Sequence, residues 1–97
     1  MKYIITESRL NNLILDWIDN FNLKLVDYPS YYRILFSKEG NPIITYDKRN
    51  GYVSVSYLKI GEYLHSLFNL DREQMEEIIK IWLETRYNLE PRFVDFR

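Results

Sequence analysis

The chain has 97 residues, no cysteine and a formal net charge of −1. This bounds it to one small domain, excludes disulfide and thiolate chemistry, and gives no strongly basic balance of the kind that marks a nucleic-acid binder. No run approaches the roughly 18 apolar residues needed to cross a bilayer, and the opening residues lack the apolar core and cleavage site of a signal peptide. The expectation is a cytoplasmic, soluble protein with no membrane contact. A chain of this length buries roughly 60–65% of its unfolded surface, enough for one modest core. Aromatic residues make up 16%, with nine tyrosines among them. Charge is uneven: residues 31–60 hold five basic and two acidic side chains, a net of +3, and the remainder holds eight basic and twelve acidic, a net of −4.

Met1 to Thr6 is rich in β-formers and reads as a short strand. Thr6 or Ser8 is placed to cap a helix whose apolar stripe is Leu10, Leu13, Ile14, Trp17, Ile18 and Phe21. It ends near Asn22. Leu23 to Ser30 reads as a connection, part of it extended. Three strand-like runs follow, Tyr31 to Ser37, Ile43 to Asp47 and Tyr52 to Tyr57, with turns at Lys38–Pro42 and Asp47–Gly51. Asn50-Gly51 is a hairpin signal, since both residues tolerate positive φ. A helix from Lys59 to Phe68 has the stripe Ile60, Tyr63, Leu64, Leu67 and Phe68, and Gly61 in its first turn permits close packing.

The last helix is the clearest element. Asp71 is an N-cap, Gln74 closes a capping box, and Leu70 with Met75 is spaced for a hydrophobic staple. Met75, Ile78, Ile79, Trp82 and Leu83 form the buried stripe, with glutamates opposite. Asn88 takes a left-handed terminus, and Pro91 cannot continue the helix. Ile81 falls off the stripe and is a candidate partner contact. Arg92 to Arg97 alternates as a strand that pairs with a sheet edge, beside the first strand, or reaches a neighbouring subunit. The fold class is α+β: a three-stranded antiparallel meander, extended by terminal strands, packed on helices in the order β-α-β-β-β-α-α-(β).

Several stretches resemble a family of small uncharacterised proteins of large tailed bacteriophages and environmental viral sequence. They are Met1-Lys2-Tyr3-Ile4-Ile5-Thr6-Glu7-Ser8, the first helix with Trp17, the hairpin from Ile44 to Tyr57, and Ile81-Trp82-Leu83-Glu84-Thr85-Arg86-Tyr87-Asn88-Leu89. The resemblance implies a viral source, and hence the host cytoplasm, and brings no activity with it.

No residue pattern marks catalysis. His65 is the only histidine and reads as a surface or boundary residue. Glu73, Glu76 and Glu77 spread over a solvated helix face instead of converging as metal ligands. Ser54 and Ser56 have no base to activate them. No cofactor or metal is expected. The patch that stands out is a strand face with Tyr31, Arg33, Tyr52, Ser54 and Ser56, flanked by Lys48 and Arg49 at the hairpin tip. Tyrosine with arginine suits a protein interface or single-stranded nucleic acid. The expected function is a non-enzymatic, self-associating interaction protein with a phage or host partner. A nucleic-acid-binding module using the tyrosine-bearing sheet is the alternative, and a small enzyme the third.

Overall fold

The structure is a computed structural model describing residues 2–97, with side chains from Arg9 onward. Its elements are α1 (Lys2–Asp19), β1 (Lys24–Tyr28), β2 (Arg33–Lys38), β3 (Asn41–Asp47), β4 (Tyr52–Val55), α2 (Glu62–Phe68), α3 (Arg72–Tyr87) and β5 (Phe93–Phe96). The strands form one sheet in the order β1-β2-β3-β4-β5. The first four make an antiparallel meander, and β5 joins β4 in parallel. The α+β class expected from the sequence is the observed one.

Three assignments change. The opening residues expected as a strand are helical from Lys2 on; Met1 lies outside the described residues. Extending a helix adds one hydrogen bond for each residue fixed, whereas a strand here would draw its hydrogen bonds only from a partner strand distant in sequence. The meander has a fourth strand, β1, within the Leu23–Ser30 connection. The C-terminal strand pairs with a sheet edge as expected, but along β4 and not beside the opening residues, with Val53 opposite Val94 and Val55 opposite Phe96.

The sheet has one dry face. Ile34, Phe36, Ile44, Tyr46, Val53, Val55, Val94 and Phe96 are buried in a single cluster with Ile14, Leu15 and Ile18 of α1, Leu64 of α2 and the stripe of α3. In α1 the buried arc is rotated relative to the expected stripe: Leu15 is buried and Leu13 is exposed. On α2 only Leu64 is buried. Tyr63 and Leu67 are exposed because a seven-residue helix lays only a narrow strip on the core.

α3 follows its local signals closely. The Asp71 carboxylate accepts from Gln74 N at 2.8 Å, and Gln74 Oε1 accepts from Asp71 N at 2.9 Å, which is the reciprocal box. Asn88 ends the helix at φ 54°, with amides 88 and 89 returning to the carbonyls of Glu84 and Leu83. Trp82 packs edge-on against Phe36 of the sheet at 5.4 Å, and its Nε1 donates to Asp19 at 2.8 Å. Arg86 holds the other oxygen of Asp19 at 2.9 Å, so a polar clasp joins α1 to α3 beside the core.

The turns also redistribute. The tight hairpin is β2–β3, where Lys38 faces Asn41 and both Glu39 (φ 54°) and Gly40 (φ 81°) are left-handed, as a type I′ turn requires. At Glu39 this conformation costs roughly 1–2 kcal/mol relative to glycine. In the β3–β4 turn only Gly51 has positive φ. Asn50 contributes through its side chain instead, accepting from Tyr52 N at 2.9 Å. Between β2 and β3 the register skips Ile43: Phe36 faces Ile44 and Ser37 faces Pro42. Pro42 has no N–H to give the ladder, and the resulting bulge lets the consecutive residues Ile43 and Ile44 both be buried.

Candidate interaction surface

Because α1, α2 and α3 share the dry face, the other side of the sheet carries no second layer among the described residues. Two rows cross it by register. One is Tyr28, Arg33, Asp47, Tyr52 and Phe93; the next is Val26, Leu35, Thr45, Ser54 and Asp95. Phe93 is 64% exposed and Tyr28 43%, and Tyr31 beside them is 70% exposed. Two shallow depressions adjoin at Arg33. A mainly apolar one of about 220 Å³ is lined by Tyr28, Tyr31, Arg33 and Leu35. A polar one of about 250 Å³ is lined by Arg33, Thr45, Asp47, Tyr52, Ser54 and Arg97.

The structure therefore brings together Tyr31, Arg33, Tyr52 and Ser54. The hairpin-tip cations are tied down nearby. Lys48 bonds Asp27 at 2.7 Å, and Asp27 shares the side of the sheet occupied by Ile34. Arg49 grips Asp47 at 3.2 Å and lies 5.3 Å from the Tyr32 ring centroid. Ile81 belongs to the helical layer, half-buried against the core, where it lines a separate depression of about 230 Å³ with Leu10, Leu70, Gln74, Glu77 and Ile78. Among the described residues, Arg33, like Arg9 and Arg92, has no carboxylate partner, whereas Arg49 and Arg97 each have one and Arg72 and Arg86 each have two.

At the β5 end the face is organised by Asp95, which the sequence reading did not single out. Its Oδ2 accepts from the Tyr52 hydroxyl at 2.8 Å and from Arg97 Nε at 2.9 Å, and its Oδ1 from Arg72 Nη2 at 3.2 Å. Arg97 also donates to the Tyr52 oxygen at 2.9 Å. The hydrogen bond from Arg97, then that from Tyr52, holds the Asp95 carboxyl below the ordinary carboxylate range; the side-chain hydrogen bond from Arg49 does the same to Asp47. Such a group stabilises the fold above its unfolded pKa, and that contribution is lost as pH falls through the lower folded value. Thermal melts followed by circular dichroism should show Tm falling as pH drops below about 4. In Asp95→Asn the fall should be shallower. An identical pH profile in the two proteins would remove Asp95 from this account.

Tyr28, Leu35 and Phe93 complete the surface and were also missed. Leu35 was available from strand alternation and Phe93 from the alternating tail, but Tyr28 was hidden in a segment read as connection. His65 is exposed, and its Nδ1–H donates to Leu70 O at 3.0 Å, bracing the α2–α3 join. Among the described residues, no group of three or more His, Asp or Glu side chains is placed to hold a metal ion, and no helix is long and apolar enough to cross a membrane. No protein-family model, curated protein or solved structure matches the chain.

Proposed function

We propose that the protein is a non-enzymatic interaction protein of the phage-accessory kind, which self-associates through the uncovered face of its sheet. The observation that carries this reading is that, among the described residues, no second layer covers a face bearing exposed Tyr28, Tyr31 and Phe93 and the unpaired Arg33. The occupant is a second copy. The face sets the unpaired Arg33 beside carboxylates, Asp47 and Asp95, that are already held by arginines, so it carries no large charge of one sign to keep two copies apart. Aromatic and arginine side chains are those enriched at protein interfaces, and an interface of one small sheet face falls toward the weak end of specific complexes. Light scattering across a concentration series should show mass rising toward the dimer, and Tyr31→Ala combined with Arg33→Glu should abolish the rise. A strict monomer at every concentration overturns the reading.

A second reading rests on the junction at Arg33, where an apolar, tyrosine-walled depression meets one lined by hydroxyls. A base stacked on tyrosine with its phosphate on Arg33 is how single strands are held. Binding to single-stranded DNA or RNA that falls steeply with salt, and is lost in Arg33→Glu, would put this reading first. Lys48 and Arg49 are poorer probes than the sequence alone suggests, because each already neutralises an aspartate.

A further inference from the structure

Three departures from regular backbone meet at one cleft on the other side of the molecule's hairpin end. The first is the bulge that sets Ile43 out of register in β3. The second is a π-type turn, Tyr57–Gly61, between β4 and α2. The third is left-handed Glu39 in the β2–β3 turn, where asparagine or glycine would adopt the conformation more readily. The first two are directly linked, since Ser56 N donates to Ile43 O at 2.9 Å and Ser56 caps the π turn by accepting from Lys59 N at 3.3 Å. Ile43, Glu39 and Lys59 all line the same cleft, together with Phe21, Lys38, Asn41 and Tyr63. Bulges and π turns recur at functional sites because they re-aim side chains that regular structure would send elsewhere.

Two cations and three apolar side chains share this cleft, Lys38 and Lys59 with Phe21, Ile43 and Tyr63. Neither Lys38 nor Lys59 has a carboxylate partner among the described residues. Lys38 Nζ lies 5.2 Å from the Phe21 ring centroid, and Tyr63 stands against Trp17 with centroids 6.1 Å apart, which fixes the aromatic walls. Glu39 on the rim offsets one of the two positive charges and leaves a net attraction for an anion. The cleft measures about 210 Å³, below the roughly 300–1,000 Å³ typical of drug-sized ligands. We infer that this cleft binds a small organic anion, a carboxylate or phosphate carried on a flat apolar body. The anion is held by Lys38 and Lys59, and the body lies against Phe21, Ile43 and Tyr63. The site is separate from the sheet face and does not depend on what occupies that face.

Titration with phenyl phosphate and with benzoate, followed by amide NMR, tests this directly, with benzyl alcohol as the uncharged control. Saturable shifts confined to residues 20–22, 38–43 and 57–63 are expected. Affinity should drop at least about tenfold in Lys38→Gln combined with Lys59→Gln, in keeping with two lost charge-assisted contacts. Arg33→Gln should bind like the parent. The tighter of the two probes identifies the anionic group. Benzyl alcohol binding as tightly as the anions, an unchanged affinity in the lysine double variant, or shifts that never saturate would each overturn the proposal. Inorganic phosphate binding as tightly as phenyl phosphate would remove the apolar half of the site.

Discussion

Replacing Trp82 by alanine should cost about 3–5 kcal/mol, the range for removing a large aromatic side chain from a packed core. Trp82 is 1% exposed and joins three parts of the molecule. Its ring meets Phe36 of β2 at 5.4 Å and Tyr87 at the end of α3 at 5.0 Å, while its Nε1 reaches Asp19 of α1 at 2.8 Å. The loss is a large share of the roughly 5–15 kcal/mol that small domains have in total. Since about 1 kcal/mol moves Tm by roughly 4–8 °C at this size, the melt should shift by well over 10 °C. Urea denaturation followed by far-ultraviolet circular dichroism measures it. Asp19→Ala separates the polar part from the packing. It leaves the buried indole N–H unpaired and should cost about 1–3 kcal/mol. Trp17 offers the contrast within the same core. It is only half-buried among Phe21, Tyr63 and Phe68, so Trp17→Ala should destabilise less than Trp82→Ala. The reverse order would mean that the α3–sheet contact is not the anchor of the fold.

How much of this was legible in the sequence depended on whether the signal was local. α3 was readable from cap to terminus because its stops are short-range: Asp71 and Gln74 close a loop three residues long, and Asn88 needs only its own backbone. The dry faces of β2 and β4 were readable because burial on one side forces period-2 alternation. β1 gave no such signal. As an edge strand its residues are exposed on both faces apart from half-buried Val26, so it reads as a polar connection. The opening residues misled for the opposite reason: their β-forming composition expresses a preference that only pairing with another strand realises, whereas a helix satisfies its own backbone locally.

The candidate surface divides in the same way. Arg33, Tyr52 and Ser54 follow from alternation alone, whereas Asp95 and Arg97 join them only through the parallel pairing of β5 with β4, a contact between residues about forty positions apart. The lysine cleft was less accessible still. Pro42 followed by two isoleucines was a sign of a bulge, since proline breaks the ladder and two adjacent buried residues break the alternation. Nothing in the sequence connects that bulge to the turn at Tyr57–Gly61. Lys38 in its turn and Lys59 at its helix start are unconnected in the sequence, and only the fold places both on one rim.

Gly51→Ala should be costly for a reason that its turn alone does not supply. Its φ of +72° accounts for roughly 1–2 kcal/mol in any L-residue. Gly40, at φ +81°, carries the same conformational term, and an added Cβ there meets nothing within 4 Å, so Gly40→Ala isolates it. At Gly51 the added Cβ would stand 2.9 Å from Glu90 O and 3.1 Å from Arg92 N. Those are backbone atoms and cannot swing away as the Arg92 side chain can. Gly51 O also accepts from Arg92 N at 2.8 Å and from Phe93 N at 3.3 Å, so moving that segment breaks the bonds that start β5. With β5 go Val94 and Phe96 from the core, and the Tyr52–Asp95–Arg97 network from the open face. The expected total is about 2–4 kcal/mol, the conformational term plus one or two backbone hydrogen bonds left unmade. Urea melts of the two alanine variants give the difference, and amide exchange of residues 93–96 should accelerate in Gly51→Ala and not in Gly40→Ala. Equal costs at the two glycines, with β5 protection unchanged, would show that β5 does not rely on this close approach. The parallel strand would then have to be held by Val94 and Phe96 alone, against a four-residue edge whose pairing nothing nearby in sequence reinforces.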